Sequence, residues 1–144
     1  MRRAPVKFMK QNIAWPLLRD ILERDGRVTL PVSGGSMRPF LPGPRRLTLE
    51  RAPFEDIRPG DVVGYEVAGR FFAHRAIART AAGLRVRGDA GIGPDHKVGS
   101  DQVWGRVETV WSGRLGLFAH AVAHPLLAWG RSVRHWNKGG LACL

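Results

Sequence analysis

From Arg27 to Trp111, apolar side chains recur at every second position in short runs, and clusters of glycine and proline separate the runs. A period of two suits a strand with one buried face, and no helix can use it, so this pattern constrains the fold most. The runs are Val28/Leu30/Val32, Leu47/Leu49, Val63/Tyr65/Val67, Leu84/Val86 and Val103/Gly105/Val107. Between them stand Pro42-Gly43-Pro44, Arg58-Pro59-Gly60-Asp61, Ala82-Gly83 and Gly91-Ile92-Gly93-Pro94, all turn formers. Parallel strands need crossover helices, for which these intervals leave no room. The expected fold is therefore mainly β: a compact antiparallel β domain.

Both flanks change to helical spacing. Leu17, Leu18, Ile21 and Leu22 form one face of an amphipathic helix, and Arg19, Asp20, Glu23 and Arg24 form the other. Pro16 suits its first turn and Gly26 its stop. A second helical stretch, over residues 115–136, carries Leu117, Phe118, Ala121, Val122, Leu126, Leu127 and Trp129. Pro125 is expected to kink or divide it. The 144 residues thus read as an N-terminal basic amphipathic helix (1–26), a β domain (27–111) and a C-terminal helical basic tail (112–144), all in one structural domain.

The formal charge of +11 draws such a chain toward anionic partners. Its arginines are scattered, so a general surface field is expected and specific nucleic-acid reading is not. Trp129 and Trp136, beside Arg131, Arg134 and Lys138, suit an anionic membrane surface and suit a packed terminal helix as well. The longest uncharged stretch, Leu115 to Gly130, is shorter than the roughly 20 residues of a spanning helix and contains His120, His124 and Pro125. Met1-Arg2-Arg3 is not followed by the apolar region of a secretory signal. The expected location is cytoplasmic or peripheral on a membrane. With Cys143 as the only cysteine, no internal disulfide can form, and its thiol reads as a dangling one.

One serine stands apart. Gly34-Gly35-Ser36 puts a hydroxyl directly after two residues without Cβ, so the backbone can turn sharply and leave amide N–H groups free for an oxyanion. A serine holds its proton tightly at neutral pH and needs a base. An imidazole near pKa 6.5 is largely neutral at pH 7 and suits the role, but a strand histidine such as His74 reads on its own as one satisfied by a neighbour. A carboxylate that fixes the tautomer of such a base would complete the site. His96 is set aside as a rival base, since it adjoins Asp95 and neighbouring residues tend to point apart. His120 and His124 stand four apart but lack a third ligand, so no metal or other cofactor is expected. Asp61 reads as a turn-shaping residue.

Together these segments resemble the signal peptidase I family. The likeness rests on Ser36-Met37-Arg38-Pro39, on Arg58-Pro59-Gly60-Asp61-Val62-Val63, on Ala73-His74-Arg75, on Arg87-Gly88-Asp89 with Asp95, and on Gly105-Arg106-Val107. It covers about residues 32–107. The branch resembled is that of archaea and the endoplasmic reticulum, whose base is a histidine. Bacterial housekeeping enzymes and self-cleaving repressors use a lysine, and Lys97 is out of place for that role. The resemblance implies a fold of the signal-peptidase and repressor-protease type. It implies Ser36 as nucleophile, His74 as base, Asp95 orienting His74, and Asp89 supporting the site. Gly34, Gly35 and Ser36 would form the oxyanion loop, Met37 an apolar surface near a pocket for small side chains, and Pro39 a stiffener of the loop.

The implied activity is a serine endopeptidase that cleaves a leader or signal peptide of a preprotein after small residues, through an acyl-serine. Family members typically carry a transmembrane helix before the serine box, and the residues preceding Ser36 are not apolar enough to match. Two alternatives stand beside this reading. A self-processing repressor-type peptidase calls for a DNA-binding domain and a lysine base. A non-catalytic basic module would bind nucleic acid or an anionic membrane.

Overall fold

A computed structural model describes residues 15–41, 45–91 and 94–139. The basic lead, Pro42-Gly43-Pro44, Ile92-Gly93 and Cys143 lie outside the described residues, as do the side chains of Arg131, Arg134, Trp136 and Lys138.

The chain is mainly β, as expected. Among the described residues, seven strands form one antiparallel sheet that curls into a half-barrel, with one helix before it and one after. Helix α1 (Trp15–Asp25) leads into β1 (Arg27–Val32) and β2 (Arg45–Glu50). Then come β3 (Val62–Val67), β4 (Arg70–Thr80), β5 (Gly83–Arg87), β6 (His96–Val98), β7 (Val103–Val107) and helix α2 (Gly113–Gly139). The sheet order is β1-β2-β7-β3-β4-β5-β6. Every alternating run in the sequence lies within one of these strands. β4 and β6 lie outside the runs: β4 is defined by its pairing with β3 and β5, and β6, whose three residues show no period, by its pairing with β5 (Leu84↔Val98, Val86↔His96).

The alternation sorts neighbouring residues into two cores. Val62 joins Leu30, Leu49, Phe71 and Val107, whereas Val63 joins Tyr65, Ala76, Leu84, Val86 and Val98. α1 covers the first core. Its Leu22 is fully buried, a contribution of about 2 kcal/mol. Trp15 stacks on Phe71 at 5.3 Å and meets Trp104 edge-on at 5.8 Å. Leu17, expected on the apolar face, is 62% exposed instead. Trp15, Leu18 and Leu22 set the face that meets the sheet, and Leu17 lies off their arc. Gly26 closes the helix, its N–H reaching the Leu22 carbonyl at 2.9 Å.

α2 runs through Pro125 undivided, so of the two outcomes expected there division does not occur. One missing N–H in so long a helix leaves the turns on either side intact. Its start is fastened by Asp61, which accepts the Gly113 N–H at 3.1 Å with one oxygen and the Arg58 N–H at 2.9 Å with the other. Asp61 therefore shapes its turn and also seats a helix. Among the described residues, no helix is long and apolar enough to cross a membrane.

Candidate active site

The chain leaves β1 and turns at Gly34, whose φ of +114° a side chain would strain. The turn tightens through Arg38 N–H to Gly35 O (3.2 Å) and Leu41 N–H to Met37 O (2.9 Å). Ser36 is lifted at its crest. The Ala90 N–H holds the Ser36 carbonyl at 2.8 Å. Gly88 lies against the same carbonyl, so close that a Cβ added there would stand 2.6 Å from the oxygen. The loop leaving β5 thus presses directly on the Ser36 backbone, and only glycine allows the approach. The N–H groups of Gly35 and Ser36 donate to no other group among the described residues.

His74 reaches Ser36 from β4, opposite Val63 of β3. Its Nε2 lies 3.1 Å from Ser36 Oγ, and its Nδ1 lies 2.8 Å from the Tyr65 hydroxyl. For Nε2 to accept the serine proton, Nδ1 must carry the ring hydrogen and donate it to Tyr65 Oη. Burial is the main force on the imidazole, and with the neighbouring His96 it lowers the His74 pKa to about 4, against a weaker upward pull from Asp89. The ring is therefore neutral across the neutral range. Burial also pushes the Tyr65 hydroxyl up to about 12, so it remains a phenol.

Asp95 does not orient His74. Its carboxylate forms a two-pronged pair with Arg87, and a second ion pair at 3.6 Å with Arg85. The Arg87 hydrogen bonds, more than its burial opposes, hold the Asp95 carboxyl below the usual range. The pair forms because Arg85 and Arg87 of β5 stand next to the loop that carries Asp95, and two guanidinium groups hold the carboxylate away from the imidazole. Asp89 is fully buried, bonded to Arg75 at 2.7 and 2.6 Å and to His120 Nδ1 at 2.7 Å. Burial drives its pKa up, but the bonds from Arg75 and His120 outweigh that and keep it below the ordinary value. Arg75 also donates to the carbonyls of Gly60 and Trp111, at 2.7 and 2.5 Å. Asp89 therefore supports the Gly88–Ala90 loop behind the serine, and its hydrogen bonds go to Arg75 and His120 and not to His74.

Met37 is buried among Leu22, Leu30 and Leu41, so it anchors the loop to the core and offers no surface to a pocket. The turn dives inward after Ser36, which is why its side chain is consumed by packing. Pro39 is exposed on the same turn. Lys97 is exposed on β6. His120 faces Asp89, with its ring 4.9 Å from His124, and the described residues contain no cluster of three metal-ligating side chains.

One site residue is not marked by any sequence motif: Tyr65 belongs to an alternating run, and only the register of β3 against β4 brings its hydroxyl to the imidazole. His96 lies nearly parallel to His74 with ring centres 6.2 Å apart, but it is His74 that meets the Ser36 hydroxyl. Comparison of the chain with protein-family models, curated proteins and solved structures finds no match.

Proposed function

We propose that this chain is a serine endopeptidase in which Ser36 attacks a peptide carbonyl and His74 takes its proton. The observation that carries the reading is the 3.1 Å separation of Ser36 Oγ and His74 Nε2, on a loop whose Gly35 and Ser36 N–H groups have no other acceptor among the described residues. A neutral, buried imidazole supports it, since such a ring can accept a proton without first losing one.

In this mechanism Nε2 accepts the hydroxyl proton as Oγ bonds to the carbonyl carbon. The N–H groups of Ser36 and Gly35 receive the charge that develops on the oxygen. His74 then donates the same proton to the leaving amine, and an acyl-Ser36 remains. Water, deprotonated by His74, releases the acyl group and restores the hydroxyl. Tyr65 keeps the hydrogen of the ring on Nδ1 throughout. The substrate class is an extended peptide with small side chains, a leader or signal segment of a preprotein, as the resemblance of residues 32–107 implies.

The test is labelling of the purified chain by a fluorophosphonate, together with mass-spectrometric mapping of the ends released from a preprotein. Labelling at Ser36 and cleavage after small residues are expected, and both should vanish in Ser36→Ala and His74→Gln while the circular dichroism is preserved. A wild-type chain that neither takes the probe nor cuts the substrate would sink the reading, as would full turnover by either variant.

A further inference from the structure

α2 carries a face of large apolar side chains that the domain leaves uncovered. Leu115, Phe118, Val122, Leu126 and Trp129 are exposed, with Phe118 at 69%, Leu126 at 63% and Trp129 at 70%. Their spacing of three and four residues aligns them in one stripe. Gly116, Ala119 and His120 occupy the buried side of the helix. The 2.7 Å bond from His120 to the buried Asp89 fixes the rotation of the helix, so the stripe faces outward by construction.

The charge of α2 identifies what covers it. Its sequence contains no aspartate or glutamate, and its charged residues are Arg114, Arg131, Arg134 and Lys138. The whole chain stands at +11. A second copy is a poor occupant, because pairing two such helices sets cations beside cations with no carboxylate to offset them. A bilayer rich in anionic headgroups offers apolar depth for the stripe and negative charge for the arginines. Tryptophan at the edge of such a stripe suits the interfacial zone. We propose that α2 lies along the surface of an anionic lipid bilayer, with the Leu115–Trp129 stripe in the acyl boundary. No helix among the described residues can cross, so the contact is peripheral. This inference is independent of the peptidase reading.

The test uses the full chain and two sets of vesicles, phosphatidylcholine alone and phosphatidylcholine mixed with phosphatidylglycerol. Cosedimentation with the mixed vesicles should exceed that with the neutral ones by about tenfold or more and should weaken with salt. A Phe118→Ser/Trp129→Ser double variant, both positions being exposed, should keep its circular dichroism and lose at least about tenfold in partitioning. An environment-sensitive dye on Phe118→Cys, in a Cys143→Ser background, should shift to the blue with anionic vesicles. The inference is overturned by an absence of partitioning, by equal partitioning of variant and wild type, or by a dimer in vesicle-free solution that the double variant dissolves.

Discussion

Tyr65 Oη stands 2.8 Å from His74 Nδ1, where serine hydrolases usually place a carboxylate. A phenol can accept the Nδ1 hydrogen and so select the useful tautomer. It brings no negative charge to balance the imidazolium that the proposed attack would form.

Removing that acceptor should therefore cost rate and spare binding. Tyr65→Phe is expected to lower kcat by about ten- to a hundredfold with KM little changed, within the range for a positioned acid–base partner. Nitrogen NMR of His74 provides a readout that packing alone would not move. The Nδ1–H form should dominate in the wild type and give way to a mixture in the variant. Equal kcat and equal tautomer populations would remove Tyr65 from the mechanism.

Asp95 and Asp89 should part company under mutation. Asp95→Asn breaks a partly exposed ion pair, worth at most about 1 kcal/mol, and should leave turnover within about twofold of wild type. Asp89→Asn strands the Arg75 guanidinium, which is wholly buried, and should destabilise the fold by about 3–5 kcal/mol in urea titration. If turnover instead collapsed in Asp95→Asn with stability intact, Asp95 would regain the orienting role.

The pH dependence follows from His74. Its acid limb in kcat/KM should fall near pH 4, well below the value of an ordinary histidine. Stability carries the same signature. The folded pKa is depressed, so the unfolded chain binds the extra proton, and stability present above the unfolded value of 6.5 is lost as pH falls toward about 4. The loss amounts to about 3 kcal/mol, on the scale of 1.4 kcal/mol per unit. Asp89 and Asp95, both held below 3.8, contribute their own losses only at still lower pH. Unfolding titrations of wild type and His74→Gln should therefore converge as the pH drops from 6.5 to 4, and parallel curves would contradict the assignment.

Gly88 offers a steric test that replaces no proposed catalytic group. A methyl group at Gly88 would meet the Ser36 carbonyl at 2.6 Å and Ser36 Cβ at 3.2 Å, so backbone must shift. Gly88→Ala is expected to reduce fluorophosphonate labelling by about a hundredfold, the scale of an ångström-level misplacement. Unchanged labelling would mean that the β5 exit loop does not set the serine.

Five strands were legible because each run alternates, and the turns because glycine and proline mark them, whereas β4 carries no such run. β6 was not, since three residues carry no period and their place depends on a partner strand. The Ser36–His74 pairing was legible as order along the chain. The partner of Nδ1 was not, because it depends on the β3–β4 register, which joins residues no local pattern relates. The partners of Asp95 were not legible for a related reason: its place along the chain says nothing of Arg85 and Arg87, which reach it first. Met37 beside a nucleophile looked like lining, and the inward dive of the turn made it core.

His74 and Arg75 are consecutive on β4, and the pleat sends the imidazole toward Ser36 and the guanidinium toward Asp89. The strand's alignment with β3 is therefore a message of a single bit. Slipped by one position, the same sequence would aim an always-charged arginine at the serine and leave a histidine to satisfy the buried aspartate. Phe71 and Ala76 would leave their cores in the same step, so the burial that fixes the register of β4 also fixes which of the two side chains meets Ser36.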